Sequence, residues 1–400
     1  MSGIKNNIRQ NYLFVALSSI NLTHGVWMIF LAMKGFSLVE LGLLEGIYHI
    51  TSFLMEIPTG AVADLWGRKL SRVIGRFISI ISYLIMFLSG SFFLQAIGFM
   101  ITAMSNNLES GAGDALVYDS LIELEETSTY MSVAGKQELT YQGASIFSLL
   151  LAGLLAQYSY AFVFIVSIVF SFFAMLSALQ LEETTIGKNI RESKTFFSLM
   201  REYTIHIFAS FSSIKKEKRI FYLMLISEVV FTFITTLFFY LQTYWSEAGH
   251  PESYITTIFA INAIITGITA LFASKIVQVI GKRWTLSLIV VFPTILIWLI
   301  ATTPYSPLFY ILFGPSEGLL IASVGTYLNE LINSKQRATI LSMQSMLFSL
   351  IMVVTFPSVG FIASKTSIPI AFIALSVMST LFALFALTYL IPIVSKKENG

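Results

Sequence analysis

The 400-residue sequence contains no cysteine, which excludes disulfides, thiolate metal sites and cysteine nucleophiles and leaves the compartment open. Its four histidines, His24, His49, His206 and His250, are scattered along the chain, so no metal site is expected. Charge is sparse at 12% of residues, and the 24 basic residues are spread over many short turns, so no nucleic-acid partner is expected. Neither a glycine-rich nucleotide loop nor a nucleophile–base pair is present, so we expect no enzyme, no ATP hydrolysis and no cofactor. What the chain has in excess is apolar: 56% hydrophobic residues, 35 Phe and a mean hydropathy of +0.79. That composition belongs to a polytopic membrane protein, with the lipid bilayer as its first partner.

A bilayer core takes about 20 apolar residues per helix. Charge-poor stretches of that length recur at 11–33, 38–63, 71–91, 93–120, 136–157, 160–181, 220–245, 253–280, 284–303, 307–331, 337–362 and 369–393. Backbone groups must be satisfied internally in lipid, and uninterrupted apolar runs lack the alternation of barrel strands, so the spans are helices. The expected class is an all-α polytopic membrane protein of twelve transmembrane helices. Lys and Arg set its orientation, because cytoplasmic loops retain positive charge. With both termini cytoplasmic, only Lys34 and Lys365 of the 24 basic residues fall outside. The first apolar segment is longer than a signal-peptide core and no small-residue cleavage site follows Met33-Lys34-Gly35, so it reads as a retained helix. The net charge of +2 follows from the topology and carries no further information.

One long polar connection divides the chain into residues 1–181, a linker at 182–219 and residues 220–400. The linker carries Lys188, Arg191, Lys194, Arg201, Lys215, Lys216, Lys218 and Arg219. Within it Phe196, Leu199, Met200, Tyr203, Ile207, Phe208 and Phe211 recur at helical spacing, which predicts an amphipathic helix on the inner leaflet. The halves read as copies. Gly67-Arg68-Lys69 returns as Gly281-Lys282-Arg283, and Tyr12-Leu13 as Tyr222-Leu223, at similar shifts and equivalent turns. The second copy has degenerated, with Ser274 and Gln278 where the first has Gly60 and Asp64. Parallel repeats of this kind place a substrate site between the halves near the midplane, so a small-molecule substrate is the expected second partner.

Residues 60–69 read Gly-Ala-Val-Ala-Asp-Leu-Trp-Gly-Arg-Lys. The pattern Gly-x-x-x-Asp-x-x-Gly-Arg-Lys resembles the signature loop between the second and third helices of major facilitator superfamily transporters. The flanking Glu56-Ile57-Pro58-Thr59-Gly60 and the fourth-helix segment Ser110–Asp119 resemble a group of bacterial efflux permeases in that superfamily. The resemblance implies two six-helix bundles rocking between outward-open and inward-open states, a bacterial cytoplasmic membrane and a monomer. It also implies a conformational latch, in which Asp64 bonds across the halves near the start of the eleventh helix, around Arg337 to Thr339. Physically, Gly60 permits close helix approach, Gly67 a tight reversal, and Arg68 with Lys69 holds the turn at an anionic surface. A plain topogenic turn explains Arg68, Lys69 and Arg72 but not Gly60 or Asp64. One departure bears on efflux: many drug antiporters of the superfamily carry a Gly-Pro pair on the fifth helix, where this chain has Gly143, Gly153 and Ser145-Ile146-Phe147-Ser148.

An acid at the centre of a membrane helix costs roughly 3 kcal/mol, which makes such acids functional candidates. The deep ones are Glu45, Glu109, Asp114, Glu228 and Glu317; Glu40, Glu56, Asp119, Glu138, Glu247 and Glu330 lie nearer helix ends. The competing reading of each is a paired structural acid. Glu45 and His49, at i and i+4, share a helix face and can share a proton; Gly42 and Gly46 beside them are spaced for packing. His24 adds a titratable group on the first helix beside Asn21 and Thr23. Asn106, Asn107, Glu109 and Asp114 crowd the fourth helix and must line a cavity or pair internally. Glu109 is the first choice for a substrate or proton site, with Glu317 in Gly314-Pro315-Ser316-Glu317-Gly318 its counterpart. Arg76 is expected to pair with Asp114 or Asp119. Trp27, Phe238, Phe239, Tyr240, Tyr244 and Trp245 read as membrane-interface anchors, or else, with Gln242, as an aromatic cavity. The reading that joins these residues is a secondary active transporter with H+ as coupling ion, exporting an amphipathic compound or drug. Symport uptake of a small nutrient, and a non-transporting membrane receptor of the same fold, are the alternatives.

Overall fold

Apolar runs with no lipid-compatible alternative to internal hydrogen bonding become helices, and helices are all that the described residues contain besides turns. The computed structural model describes residues 2–186, 195–202, 204–205, 217–332 and 337–395. Ten helices in it are long and apolar enough to cross a bilayer. One of them, Glu252–Thr302, is 51 residues long, far beyond the roughly 30 Å a span covers, and is two spans joined at Gly281, where φ is 79°. Phe92–Glu123 is a further 32-residue helix, less apolar because it carries Asn106, Asn107, Glu109 and Asp114. Among the described residues the chain thus has twelve spans: Ile4–Met33, Leu38–Trp66, Arg68–Leu88, Phe92–Glu123, Thr127–Ala156, Tyr160–Leu179, Lys218–Glu247, 252–280, 282–302, Ser306–Leu328, Thr339–Lys365 and Ile368–Val394. We call them the first to the twelfth in that order.

Two spans are interrupted. The first is helical over Ser2–Ser18, passes through a 3-10 turn at Leu22–Gly25 and resumes at Trp27–Met33. Asn21 stops it by folding its side chain onto the next turn, accepting from Thr23 N at 3.2 Å and Thr23 Oγ1 at 2.7 Å. Ser167 of the sixth span accepts from the freed Leu22 N at 3.1 Å. The tenth ends one helix at Ile311 and begins another at Gly314, with Pro315 in the first turn, where a missing N–H costs nothing. The second span opens on a capping box: Ser37 N and Oγ both donate to Glu40 Oε2, at 2.8 and 2.7 Å.

The repeat is visible in the backbone. Positive-φ glycines occur at Gly35 (90°) and Gly67 (101°), and 214 positions later at Gly249 (84°) and Gly281 (79°). Gly67 and Gly281 are one-residue reversals, so the third span begins at Arg68, three residues earlier than the sequence suggested. By contacts the chain divides into two compact units. The first holds Met1–Trp27 and Ile47–Ile205; the second holds Met28–Gly46 and His206–Gly400. The second unit therefore includes the start of the second span, where a Cβ on Gly42 would lie 3.0 Å from the Tyr240 hydroxyl and one on Gly46 3.0 Å from Pro357. Of the amphipathic linker helix, residues 196–202 are helical and Leu199 is buried, while Tyr203, Ile207, Phe208 and Phe211 lie outside the described residues.

Candidate functional site

Arg68, Arg72 and Arg76 stand at i, i+4 and i+8 on the third span, so one helix face carries three guanidinium groups, all buried. That face is packed against the fourth span, which runs antiparallel after a three-residue turn. Small residues draw the two helices together. Ser71 Oγ donates to Leu108 O at 2.7 Å, Ser79 and Ser105 hydroxyls meet at 2.5 Å, and Ser82 bonds Thr102 at 2.6 Å. A Cβ on Gly75 would come within 3.1 Å of the Glu109 side chain, and one on Gly113 within 3.3 Å of Arg72. In this register the facing residue numbers named here sum to between 179 and 187, and the two ion pairs between these spans, Arg76–Glu109 and Arg68–Asp119, to 185 and 187.

At the end of the hairpin nearest Gly67, Arg68 forms an ion pair with Asp119, and its Nη2 lies 3.9 Å from Asp64 Oδ1. Glu183 closes over the turn, accepting from Lys69 N at 2.5 Å. Arg68 is therefore a buried structural cation and not a headgroup contact, because two carboxylates hold it inward. The expected partner region of Asp64 begins at Arg337 and Ala338, whose side chains lie outside the described residues. Gly60 sits partly buried in the last turns of the second span.

One step further in, Arg72 donates to Asn11 Oδ1 at 2.8 Å and lies 3.8 Å over the Phe14 ring. Asn11 Nδ2 passes the chain on to Gln137 at 2.7 Å, and Gln137 Nε2 to Asp114 at 3.0 Å. Deeper still, Arg76 forms an ion pair with Glu109, both side chains largely buried at 6% and 14% exposure. Its Nη1 also points at Ser18 O, 3.4 Å away. The expected Arg76 partners, Asp114 and Asp119, are corrected to Glu109: the antiparallel register puts position 109 opposite 76, and gives Asp119 to Arg68 and Asp114 to Gln137. Ser18 is the last residue of the first helical segment, whose end carries partial negative charge, so Arg76 is held by a carboxylate and by a helix C-terminus together. Arg76 is thus the member that joins the third span, the fourth span and the break in the first.

The remaining fourth-span amides pair with the second span. Asn106 Nδ2 donates to the Tyr48 hydroxyl at 2.9 Å; Asn107 accepts from Ser52 Oγ at 2.9 Å and donates to Ser52 O at 2.7 Å. His49 is buried beside Tyr48, ring centroids 5.0 Å apart and perpendicular. His24 is exposed in the 3-10 turn of the first span. Glu45 is buried within the second unit.

The second unit repeats the seam between its eighth and tenth spans. Thr266, 214 positions after Ser52, donates to Glu317 at 3.0 Å, so the counterpart of Glu317 by contact is Asn107 and not Glu109. Gly314 and Gly318 make the approach possible: a Cβ on Gly318 would fall 2.5 Å from Thr266 O. Glu228 is buried and accepts from Gln344 of the eleventh span at 2.6 Å. Of the six aromatic residues expected at the membrane interface or around a cavity, four are core instead, while Phe238 and Tyr244 are partly buried. Trp27, Phe239, Tyr240 and Trp245 are all at most 5% exposed. The Trp245 indole donates to Ser306 at 2.8 Å and the Tyr240 hydroxyl to Phe356 O at 2.9 Å, so neither needs a headgroup for its polar tip. Gln242 beside them is fully buried.

The first unit thus offers a buried acid–base pair of opposite charge beside an interrupted helix. Sequence reasoning singled out Glu109 but missed Ser18, Asn11, Gln137, Tyr48 and Ser52.

The family profile of the Major Facilitator Superfamily matches residues 11–314 and 250–400. An uncharacterized MFS-type transporter, YxaM, of Bacillus subtilis (strain 168) is 27% identical over 103 residues, covering 25% of this chain and 26% of that protein. An uncharacterized transporter of Buchnera aphidicola subsp. Schizaphis graminum (strain Sg) is 31% identical over 147 residues, 36% of each chain. The chain therefore matches only about a quarter to a third of the length of these relatives. Among solved structures, a mutant form of the nucleoside transporter NupG superposes with a TM-score of 0.77 at 16% identity, covering 97% of this chain and 99% of that one. A POT family transporter in complex with 5-aminolevulinic acid gives 0.69 at 12% identity, over 98% and 96%. These likenesses establish the shared fold.

Proposed function

The chain belongs to the Major Facilitator Superfamily and is a transporter of that fold, and from this premise we propose that it is a secondary active transporter that couples proton movement to export of an amphipathic small molecule. The observation that carries the coupling is the buried Arg76–Glu109 pair, with Arg76 also held at the C-terminal end of the first helical segment. Intramembrane ion pairs of this kind are costly to keep and serve best where one partner is neutralised during work. In the proposed cycle a proton from outside neutralises Glu109 and loosens Arg76. The hairpin of the third and fourth spans is then free to shift against the interrupted first span, and release of the proton inside restores the pair. A two-state element of this sort moves only as far as the proton's differential affinity for the two states allows. Export as the direction rests on the likeness of residues 56–60 and 110–119 to bacterial efflux permeases.

The test is reconstitution in liposomes under an imposed pH gradient, with lumenal pH followed while lipophilic cations, antibiotics, sugars, nucleosides and amino acids are added in turn. Substrate-triggered proton movement that is lost in Glu109→Gln, with substrate binding retained, is the expected result. Full proton movement in Glu109→Gln would remove the assignment of this acid. Transport indifferent to the gradient would remove proton coupling altogether.

A further inference from the structure

The two units treat their buried acids differently. In the first, Asp119 and Glu109 each face a guanidinium of the third span, Arg68 and Arg76. The shift of 214 that takes Gly67 to Gly281 takes Arg72 and Arg76 to Leu286 and Val290, both buried in the ninth span. Every Lys and Arg of the last six spans lies near a helix end. The acids remain. Glu228 and Glu317 are met by neutral donors, Gln344 Nε2 at 2.6 Å and Thr266 Oγ1 at 3.0 Å, and among the described residues neither acid belongs to an ion pair. A carboxylate inside a membrane bundle is costly without a positive partner, and here the described residues of the second unit supply none.

Glu317 has little room for one. It lies in the first turn of the helix that Gly314 and Gly318 press against the eighth span, where the helix N-terminus favours its charge. Glu228 is set differently. The seventh and eleventh spans run side by side at a constant offset of 116: Glu228 meets Gln344, Thr236 Oγ1 donates to Met352 Sδ at 3.9 Å, and the Tyr240 hydroxyl to Phe356 O at 2.9 Å. At that offset Thr232, one turn beyond Glu228, faces Phe348. The Thr232 hydroxyl is fully buried and has no hydrogen-bond partner among the described residues. Phe348 packs on Phe231, ring centroids 5.5 Å apart, within a turn of the carboxylate. Gln344, Phe231 and Phe348 are each only partly buried, so the seam can be reached at these positions.

Resting on the exporter reading above, we propose that Glu228 is the residue that selects the substrate, and that the substrate is an amphipathic cation. Its positive group takes the place of the missing guanidinium on Glu228, and its apolar arms lie against Phe231 and Phe348, whose ring faces also attract a cation. Glu109 keeps the proton, and Glu228 holds the cargo.

The test is binding to the purified full chain in detergent, by scintillation proximity, of labelled tetraphenylphosphonium against triphenylphosphine oxide, a neutral relative. The cation should bind at least about tenfold more tightly than the neutral compound, because a buried carboxylate left without its partner is strongly penalised. Glu228→Gln should abolish that preference and Glu228→Asp should retain most of it. Glu247→Gln, at the far end of the same span, should leave it unchanged. Gln344→Lys supplies a counterion from within the chain and should abolish cation binding at an equal or higher thermal midpoint, which separates lost recognition from lost folding. A preference that survives in Glu228→Gln or Gln344→Lys, an equal loss in Glu247→Gln, or no preference in the wild type overturns the proposal. Neither a pH gradient nor turnover enters this measurement. Proton movement driven only by neutral or anionic compounds would keep the exporter and overturn the cation; selective cation binding with transport indifferent to the gradient would do the reverse to proton coupling.

Discussion

At the scale of single residues, the third span concentrates its charge where charge is most expensive, and each guanidinium is matched by a different device. Arg68 has two carboxylates, Arg72 an amide and an aromatic face, Arg76 a carboxylate and a helix end. Removing one partner of a buried pair leaves an uncompensated charge and costs roughly 3–5 kcal/mol, while removing both is far milder. Arg76→Gln and Glu109→Gln should each lower the thermal unfolding midpoint in detergent. The double variant should recover much of the loss, with a coupling of at least about 1 kcal/mol in the cycle. Strictly additive losses would show that the pair contributes nothing as a pair. Glu109 was legible as a candidate from composition alone, because an acid amid apolar residues stands out. Its partner was not, because a guanidinium at position 76 faces several acids in sequence and one in space.

At the scale of elements, helix contacts are governed by small residues. Gly75 and Gly113 admit Glu109 and Arg72 between the third and fourth spans, and Gly314 with Gly318 brings the tenth against the eighth. Gly318→Ala would drive a methyl into Thr266 O at 2.5 Å and should destabilise by about 1–3 kcal/mol, as overpacking does. Gly325→Ala on the same helix meets nothing within 4 Å and should be neutral or stabilising by up to about 1 kcal/mol. Thermal unfolding of the two variants side by side checks this, and equal effects would mean that helix propensity outweighs packing at Gly318. Gly314-Pro315 carries a break signal for the tenth span in its residue types alone, since proline lacks a backbone donor. The matching interruption of the first span went unread, because Asn21 and Thr23 stop a helix through side-chain bonds to the backbone and carry no glycine or proline signal.

At the scale of the whole molecule, the absence of cysteine gives a direct handle on orientation. Lys34→Cys and Lys365→Cys should react with a membrane-impermeant maleimide added to intact cells, and Lys194→Cys only after permeabilisation. The reverse pattern would invert the proposed topology. The backbone adds a second sign that the chain is a doubled unit: both reversals in each half, at Gly35 and Gly67 and again at Gly249 and Gly281, fall 214 positions apart with φ between 79° and 101°. Only the Gly67 and Gly281 pair was evident beforehand, through the basic residues that follow each. Gly35 and Gly249 have no shared neighbours in sequence, and it is their backbone conformation that relates them.

The sequence alone determined the all-α class, the twelve spans and the family, because each rests on local quantities: apolar length against bilayer thickness, and a ten-residue turn motif. It also marked Glu45, Glu109, Asp114, Glu228 and Glu317 as out of place in lipid. Only the tertiary structure decided how those charges are met, since a partner on another helix is fixed by register and close approach, which no single segment encodes. The same holds for the aromatic residues. Trp245 and Tyr240 have the composition of interface anchors, and the Ser306 hydroxyl and the Phe356 carbonyl, supplied by distant parts of the chain, are what allow them to be buried.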